Sequence, residues 1–371
     1  MKIELEKNGR YSFPMGVLDV ALRGDEQRAY VACMDGIYSL DIPPQDSTDS
    51  KPKPFCIGKH PSYVSGIALL KDDGELATTT YDGTLQIRAL SNELVGEIAP
   101  RFQEKIHSFW SWQSALSPDR TRIASVSGQY LPGAEDYSPL PSEEPTVKIF
   151  DTSTGLQWKS FSMLPPVQCV AFDPTGRYLA AGNLMGDLAV WNIETGVAVA
   201  EWRTKSFTSW GIIKSHCYIS GIFRVSFSPD GKSLYAAGMG DMRDPMAGNG
   251  KQLWQRFAWQ ASPVTKIQES AAEQCGEGLM ETLAWHPSGE YFVMAGRLRG
   301  GNWNVGIFLT ESGQLIGQAK TGMRVTTAHF SADGKQLYLA GMQGQPKLKD
   351  GIFPDFGYLE RYTIIISSSG R

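Results

Sequence analysis

Cysteine is scarce in this chain. Five are scattered over 371 residues, at Cys33, Cys56, Cys169, Cys217 and Cys275, with no Cys-x-x-Cys pair. An odd, dispersed set excludes a disulfide framework and a cysteine-based zinc site, and it fits a reducing compartment. Long apolar runs are missing too. The longest, such as Ile364-Ile365-Ile366, fall far short of the ~18 residues that span a bilayer, and no apolar signal core follows Met1-Lys2-Ile3-Glu4. The expectation is a cytoplasmic protein with no membrane partner. Charge of one sign is not in excess. Lys+Arg total 35 against 39 Asp+Glu, a net −4, so nothing favours a nucleic-acid backbone and no nucleic acid is expected.

Catalytic signatures are equally sparse. His60, His107, His216, His286 and His329 never pair at ligand spacing, so neither a metal nor a cofactor is expected. There is no Gly-x-Ser-x-Gly elbow. The glycine-rich stretch Gly296–Gly301 lacks the strand-loop-helix setting and the lysine of a phosphate loop. No catalytic residue is assigned, although such residues can converge from distant loops.

What is abundant is repetition. One phrase returns seven times: a short apolar strand, a Ser-Pro-Asp-Gly-like turn, then a strand rich in Leu, Tyr and Ala. Its clearest copy is Val225-Ser226-Phe227-Ser228-Pro229-Asp230-Gly231, and others include Ala171–Gly176, Ala284–Gly289 and His329–Gly334. The turn positions Glu26, Gly74, Arg120, Gly176, Gly231, Gly289 and Gly334 recur every 45 to 58 residues. Apolar residues alternate between the turns, which is strand periodicity. A unit of roughly 40–45 residues holds four short strands, the size of one propeller blade. A second phrase closes many units, as in Val147–Gly155, Ala189–Gly196 and Gly306–Gly313, where glycine supplies the positive φ of a tight hairpin.

On these residues the chain resembles the WD-repeat family across nearly its whole length, as a divergent member. Trp191 matches the tryptophan that often closes the third strand, while Arg88, Phe150 and Phe308 replace it elsewhere. His60, His107 and His216 match the family's histidine, and Asp82 its aspartate. The resemblance implies an all-β, seven-bladed propeller of four-stranded antiparallel blades, one domain over 1–371. The last unit has no sequence left for a fourth strand. The alternating segment Lys2–Glu6 is therefore predicted to close it.

In the family, turns inside the first and third hairpins lie on one face, and the remaining loops on the other. Insertions at 128–145, 240–250, 297–304 and 343–357 belong within units on the second face, and 42–62, 100–110 and 203–220 are read as between-unit loops there. Long loops on a rigid scaffold tend to carry binding. Arg297, Arg299 and Trp303 are candidates for partner contact, or equally a solvated turn with Trp303 folded onto the blade. Trp210, Arg203, Met242 and Arg243 are further candidates. The 130–145 loop, acidic and proline-rich, reads as extended. First strands line the channel, placing Gln113, Gln168, Arg224 and Glu281 near its mouth, with Arg224 and Glu281 able to pair. The favoured function is a non-enzymatic scaffold for a protein or peptide partner. The alternative is a propeller enzyme or small-ligand binder, such as a lactonase-like hydrolase, at the channel mouth. Converging carboxylates or histidines in a deep pocket favour the enzyme, and a broad aromatic–arginine surface favours the partner.

Overall fold

A computed structural model describes residues 1–44, 52–90, 96–129, 140–207, 221–244, 249–274, 277–344 and 346–367. Twenty-eight β-strands carry these residues, with three 3-10 turns. No helix among them is long and apolar enough to cross a membrane.

Seven inner strands form a closed ring: Val17–Leu22, Val64–Leu69, Ser111–Leu116, Val167–Phe172, Gly221–Phe227, Glu277–Trp285 and Arg324–Phe330. Each packs on the next, and the last on the first. Second strands such as Leu179–Asn183 in Tyr178–Asn183 are buried on both faces, while the outer strand Ala198–Arg203 is mostly exposed. A sheet clamped between two neighbours buries its second strand twice, which explains the recurrent Ala, Gly and Ser there. The cores accordingly lie between sheets. One joins Tyr235 and Trp254 to Phe292 and Phe308 of the next unit.

The strands form five four-stranded sheets and one of eight strands. The expectation of seven separate four-stranded sheets is corrected on this point. In the fifth and sixth units the insertions are strand extensions, Leu234–Asp244, Asn249–Ala258 and Tyr291–Gly300. The elongated hairpins meet at one pair, Lys251 with Glu277, and merge two units into one sheet.

The N-terminal strand is longer than Lys2–Glu6. It runs Lys2–Phe13 and pairs antiparallel with Gly357–Ser367 from Lys2↔Ser367 to Phe13↔Gly357. Ile3 enters a core with Tyr291, Val293 and Ile307 of the sixth unit. Tyr11 and Phe13 enter another with Val20, Val31 and Leu40 of the first. One strand thus fills the last sheet and packs on both neighbours.

The reading of two loops is corrected. Segment 42–54 joins Gly36–Asp41 to Phe55–Lys59, which pair within the first unit, so it is a third-hairpin connection and not one between units. Segment 100–110 contains the strand Phe102–Lys105, leaving 106–110 between units. Insertions are therefore not confined to one face. Outer strands are half-exposed, and their weak apolar pattern hid them.

The Asp-Gly turns demand a left-handed residue. Gly176, Gly231, Gly289 and Gly334 have φ between 71° and 74°, and Glu26 and Arg120 adopt 56° and 59° in the same place. Where glycine is missing, the side chain reaches the neighbouring turn. Glu26 accepts from the Ala332 N–H at 2.7 Å, and Arg120 donates to Asp73 at 2.6 Å. A Cβ on Gly334 would lie 2.1 Å from His286 Nε2, whereas one on Gly231 meets nothing nearer than 3.8 Å. Gly231→Val is expected to cost ~1 kcal/mol or more from backbone strain alone, and Gly334→Val clearly more. Chemical denaturation of the two variants checks this, and equal losses would contradict the steric difference.

Candidate functional site at the channel mouth

Every inner strand carries a β-bulge near its start. The register skips Leu18, Ser65, Trp112, Gln168, Phe223, Glu281 and Thr326 in turn. A bulge re-aims one side chain per strand, and here all seven skipped residues line a central cavity of about 170 Å3. Gln113, Gln168, Arg224 and Glu281 all line it.

The expected Arg224–Glu281 pair is not the one formed. Glu281 holds Arg324 by two hydrogen bonds, at 2.6 and 2.8 Å. Arg324 starts the adjacent inner strand and is the nearer guanidinium. Other channel groups staple one inner strand to the next. Asp19 accepts from the Ile67 N–H at 3.1 Å, Gln113 from the Val170 N–H at 3.1 Å, and Thr326 donates to the Val17 carbonyl at 3.0 Å. Burial pushes the Asp19 carboxyl up and the His329 imidazole down, each opposed by the other's charge. Arg224 Nε is buried and has no hydrogen-bond partner among the described residues.

The channel opens on the face of the between-unit connections, where Arg324 also lines a wider cavity of about 600 Å3. Its walls include Met15, Met34, Met323, Met342 and Arg297. Tyr63 joins this cavity to a cluster of aromatic rings. Tyr81 lies 5.6 Å from Tyr63 and stacks on Trp110 at 5.5 Å, and Trp110 meets Phe109 at 5.3 Å and Trp112 at 5.0 Å. Tyr63 and Trp110 are 44% and 45% exposed, unusual for rings of this size held in a cluster.

The cluster is held from below. Ile106 and His107 donate backbone N–H groups to the Gly83 carbonyl at 2.7 and 3.1 Å. Gly83 has φ 82°, and a Cβ there would lie 2.2 Å from the His107 carbonyl oxygen. Glu144 accepts from the Ser108 N–H and from Lys148, both at 2.7 Å. Burial alone would raise the Glu144 carboxyl, but the Lys148 and Ser108 hydrogen bonds outweigh it and hold it down at about 2. The end of the acidic loop is therefore a tether for the aromatic segment. The run Phe109-Trp110-Ser111-Trp112 was the available sequence signal for this cluster.

No family model matches the sequence. The chain is 29% identical over 177 residues, 47% of its length, to mouse (Mus musculus) telomerase protein component 1, covering 6% of that protein. It is 27% identical over 192 residues, 51% of its length, to WD repeat and HMG-box DNA-binding protein 1 of Xenopus laevis, covering 14% of it. With the human (Homo sapiens) protein of that name it shares 24% over 258 residues, 69% of the chain and 19% of the relative. The chain thus spans less than a fifth of the length of these relatives. The ring and these relatives together support a WD-repeat β-propeller.

Within this propeller the remaining candidates separate. Arg297 lines the mouth cavity. Trp303 does not present itself as a contact. It is 4% exposed, packs edge-on to Phe308 at 5.9 Å and donates its indole N–H to the Gln274 carbonyl at 3.2 Å. An aromatic ring beside a strand end gains more by closing the core between units. Arg203 binds Asp187, its cross-strand partner, at 2.5 and 3.0 Å. Met242 and Arg243 fall on the extended strand Leu234–Asp244, but their side chains, that of Arg299, and all of Trp210 and His216 lie outside the described residues.

Proposed function

We propose that this propeller is a non-enzymatic interaction module that binds a protein or peptide across the channel mouth. Its eight-stranded sheet counts as two blades, which gives seven around the axis. One observation carries the functional reading: Tyr63 and Trp110 stand exposed on a rigid aromatic cluster beside an arginine-lined apolar cavity. Aromatic residues and arginine dominate the energetics of protein contacts.

The enzyme alternative rests on Asp19, His329 and Glu281 around the channel. Asp19 is already bound to two backbone N–H groups and Glu281 to Arg324. Carboxylates committed to structural bonds argue for the binding module. The cysteine pattern adds a reducing, cytoplasmic setting to the proposal.

The test uses a partner captured from source cells and then purified. Tyr63→Ala with Trp110→Ala is expected to weaken its binding by about tenfold or more, since one hot spot above ~1.4 kcal/mol suffices. The control Lys232→Glu lies on the short-turn face, on a residue whose side chain is 80% exposed, and is expected to leave binding unchanged. Loss with the control and not with the double variant would put the contact on the other face.

A further inference from the structure

We infer that the central channel holds a small planar oxyanion, of the size of formate, acetate or nitrate, on the guanidinium of Arg224. The ligand is an ion inside the ring, and it does not depend on a partner at the aromatic rings of the mouth.

Arg224 is a charge that the ring encloses without satisfying. Its Nε is buried and meets no acceptor among the described residues. A buried donor on a charged group is costly to leave unpaired. In a native fold such a group marks the place of an acceptor from outside the chain. The carboxylates that line the same cavity are spent elsewhere. Glu281 closes on Arg324 with two hydrogen bonds, so those two charges cancel. Asp19 accepts from the Val20 and Ile67 N–H groups at 2.9 and 3.1 Å and reaches Arg224 through its charge alone. The fork of Arg224 is therefore kept for a third group.

The two preceding inner strands add donors beside it. Gln113, on Ser111–Leu116, gives its carbonyl to the Val170 N–H at 3.1 Å, so what it can offer the cavity is its amide NH2. Gln168, on Val167–Phe172, is the residue that its bulge turns inward. Arg224 directly follows the bulge of the next strand, Gly221–Phe227. One guanidinium and two amides thus converge from three consecutive strands.

Size and charge narrow the class. The cavity, at about 170 Å3, is smaller than the roughly 300 Å3 at which sites for larger organic ligands begin. A guanidinium fork matches two oxygens in one plane better than it matches a spherical ion. The Asp19 charge acts on the same guanidinium, so a monoanion is favoured over a dianion.

The experiment follows the Arg224 Nε–H signal by nitrogen–proton NMR of the full chain, assigned by its loss in Arg224→Lys. Chloride is exchanged for formate, acetate, nitrate or sulfate at constant ionic strength. The planar monoanions are expected to shift the signal saturably, with half-saturation at roughly 1–10 mM, and sulfate to act at least about tenfold more weakly. Asp19→Asn removes the opposing charge and should tighten formate about threefold or more. Gln168→Leu removes a donor and should weaken it by about as much. Carboxylates binding ahead of nitrate would assign the natural source to an organic acid, and the reverse order to an inorganic ion.

A signal that stays still up to about 100 mM of every anion would overturn the inference and give the guanidinium to water. Titration from an anion-free buffer in which chloride acts as strongly as formate would overturn the planar class. Formate affinity unchanged by both Asp19→Asn and Gln168→Leu, each shown folded by its melting curve, would put the ion outside the channel and overturn the site.

Discussion

Removal of residues 1–8 leaves the last sheet without half of its outer strand, and the expected result is a fall in melting temperature of roughly 10 °C or more, or aggregation on expression. Ile3 is 2% exposed and sits in the core shared with the sixth unit. Losing a buried isoleucine costs ~2–5 kcal/mol by itself. Leu5 packs against the same core. Lys7 donates to the buried Glu360 at 2.6 Å, and without it that carboxylate keeps, among the described residues, only Arg10, at 3.5 Å, as a cation. A buried charge stripped of a partner adds to the loss. The edge of Gly357–Ser367 would also be left unpaired beside Ile364, Ile365 and Ile366. Ile365 and Ile366 are already 42% and 57% exposed, so an open edge there would offer a ready template for aggregation. Calorimetry of the truncated chain against the parent is the measurement. An unchanged melting curve would mean that the N-terminal strand is an ornament on a ring closed by other contacts.

Acid is the second large effect. Between about pH 6.5 and pH 4 the protein is expected to lose roughly 3 kcal/mol at each of two histidines. Burial, with the Arg88 guanidinium adding to it, holds His60 down at about 4, and Arg88 Nη2 lies 3.2 Å from the His60 ring. Burial likewise holds His107 down at about 4, with the Lys148 charge adding to it, and its ring meets Ser125 at 3.1 Å. In the unfolded chain both imidazoles titrate near 6.5. The fold favours their neutral forms, so this stability is complete above pH 6.5 and drains away as the pH falls towards 4. Glu144, held down at about 2, extends the loss below pH 4.5. Melting temperatures measured from neutral to acid pH should fall along this course. His107→Gln, neutral at every pH, should flatten the slope by about half. Side-chain titration by NMR giving ordinary values for both rings would refute the account.

Those two histidines also mark how the family pattern survives divergence. His60 and His107 keep the hydrogen-bonded core position that the resemblance implies. Where tryptophan is replaced by Arg88, the guanidinium is 3% exposed and binds His60, Thr78 and the Ile98 carbonyl. A polar network thus fills the space of an aromatic ring. The price is the acid sensitivity just described.

The sequence by itself determined the repeating unit, because a turn that needs a left-handed residue between two alternating strands leaves a local mark in each copy. Gly231 and Gly334 are such marks, and so is the alternation in Lys2–Glu6 that foretold ring closure. It also located the channel residues Gln113, Gln168, Arg224 and Glu281, since they fall at two adjacent positions near the bulge of their inner strands. Only the tertiary structure decided which charges pair. Glu281 chose Arg324 over Arg224 because neighbouring inner strands, distant in sequence, set the distance. The bulges that aim seven side chains inward are register shifts between strands, and register is a property of the pair. Trp303 was legible as an aromatic in a loop, but whether it faces solvent or a core depends on the adjoining unit, which buries it against Phe308. The aromatic cluster likewise draws Tyr63, Tyr81 and Trp110 from three separate segments. Local chemistry is written along the chain, whereas a binding surface on a propeller is assembled across it.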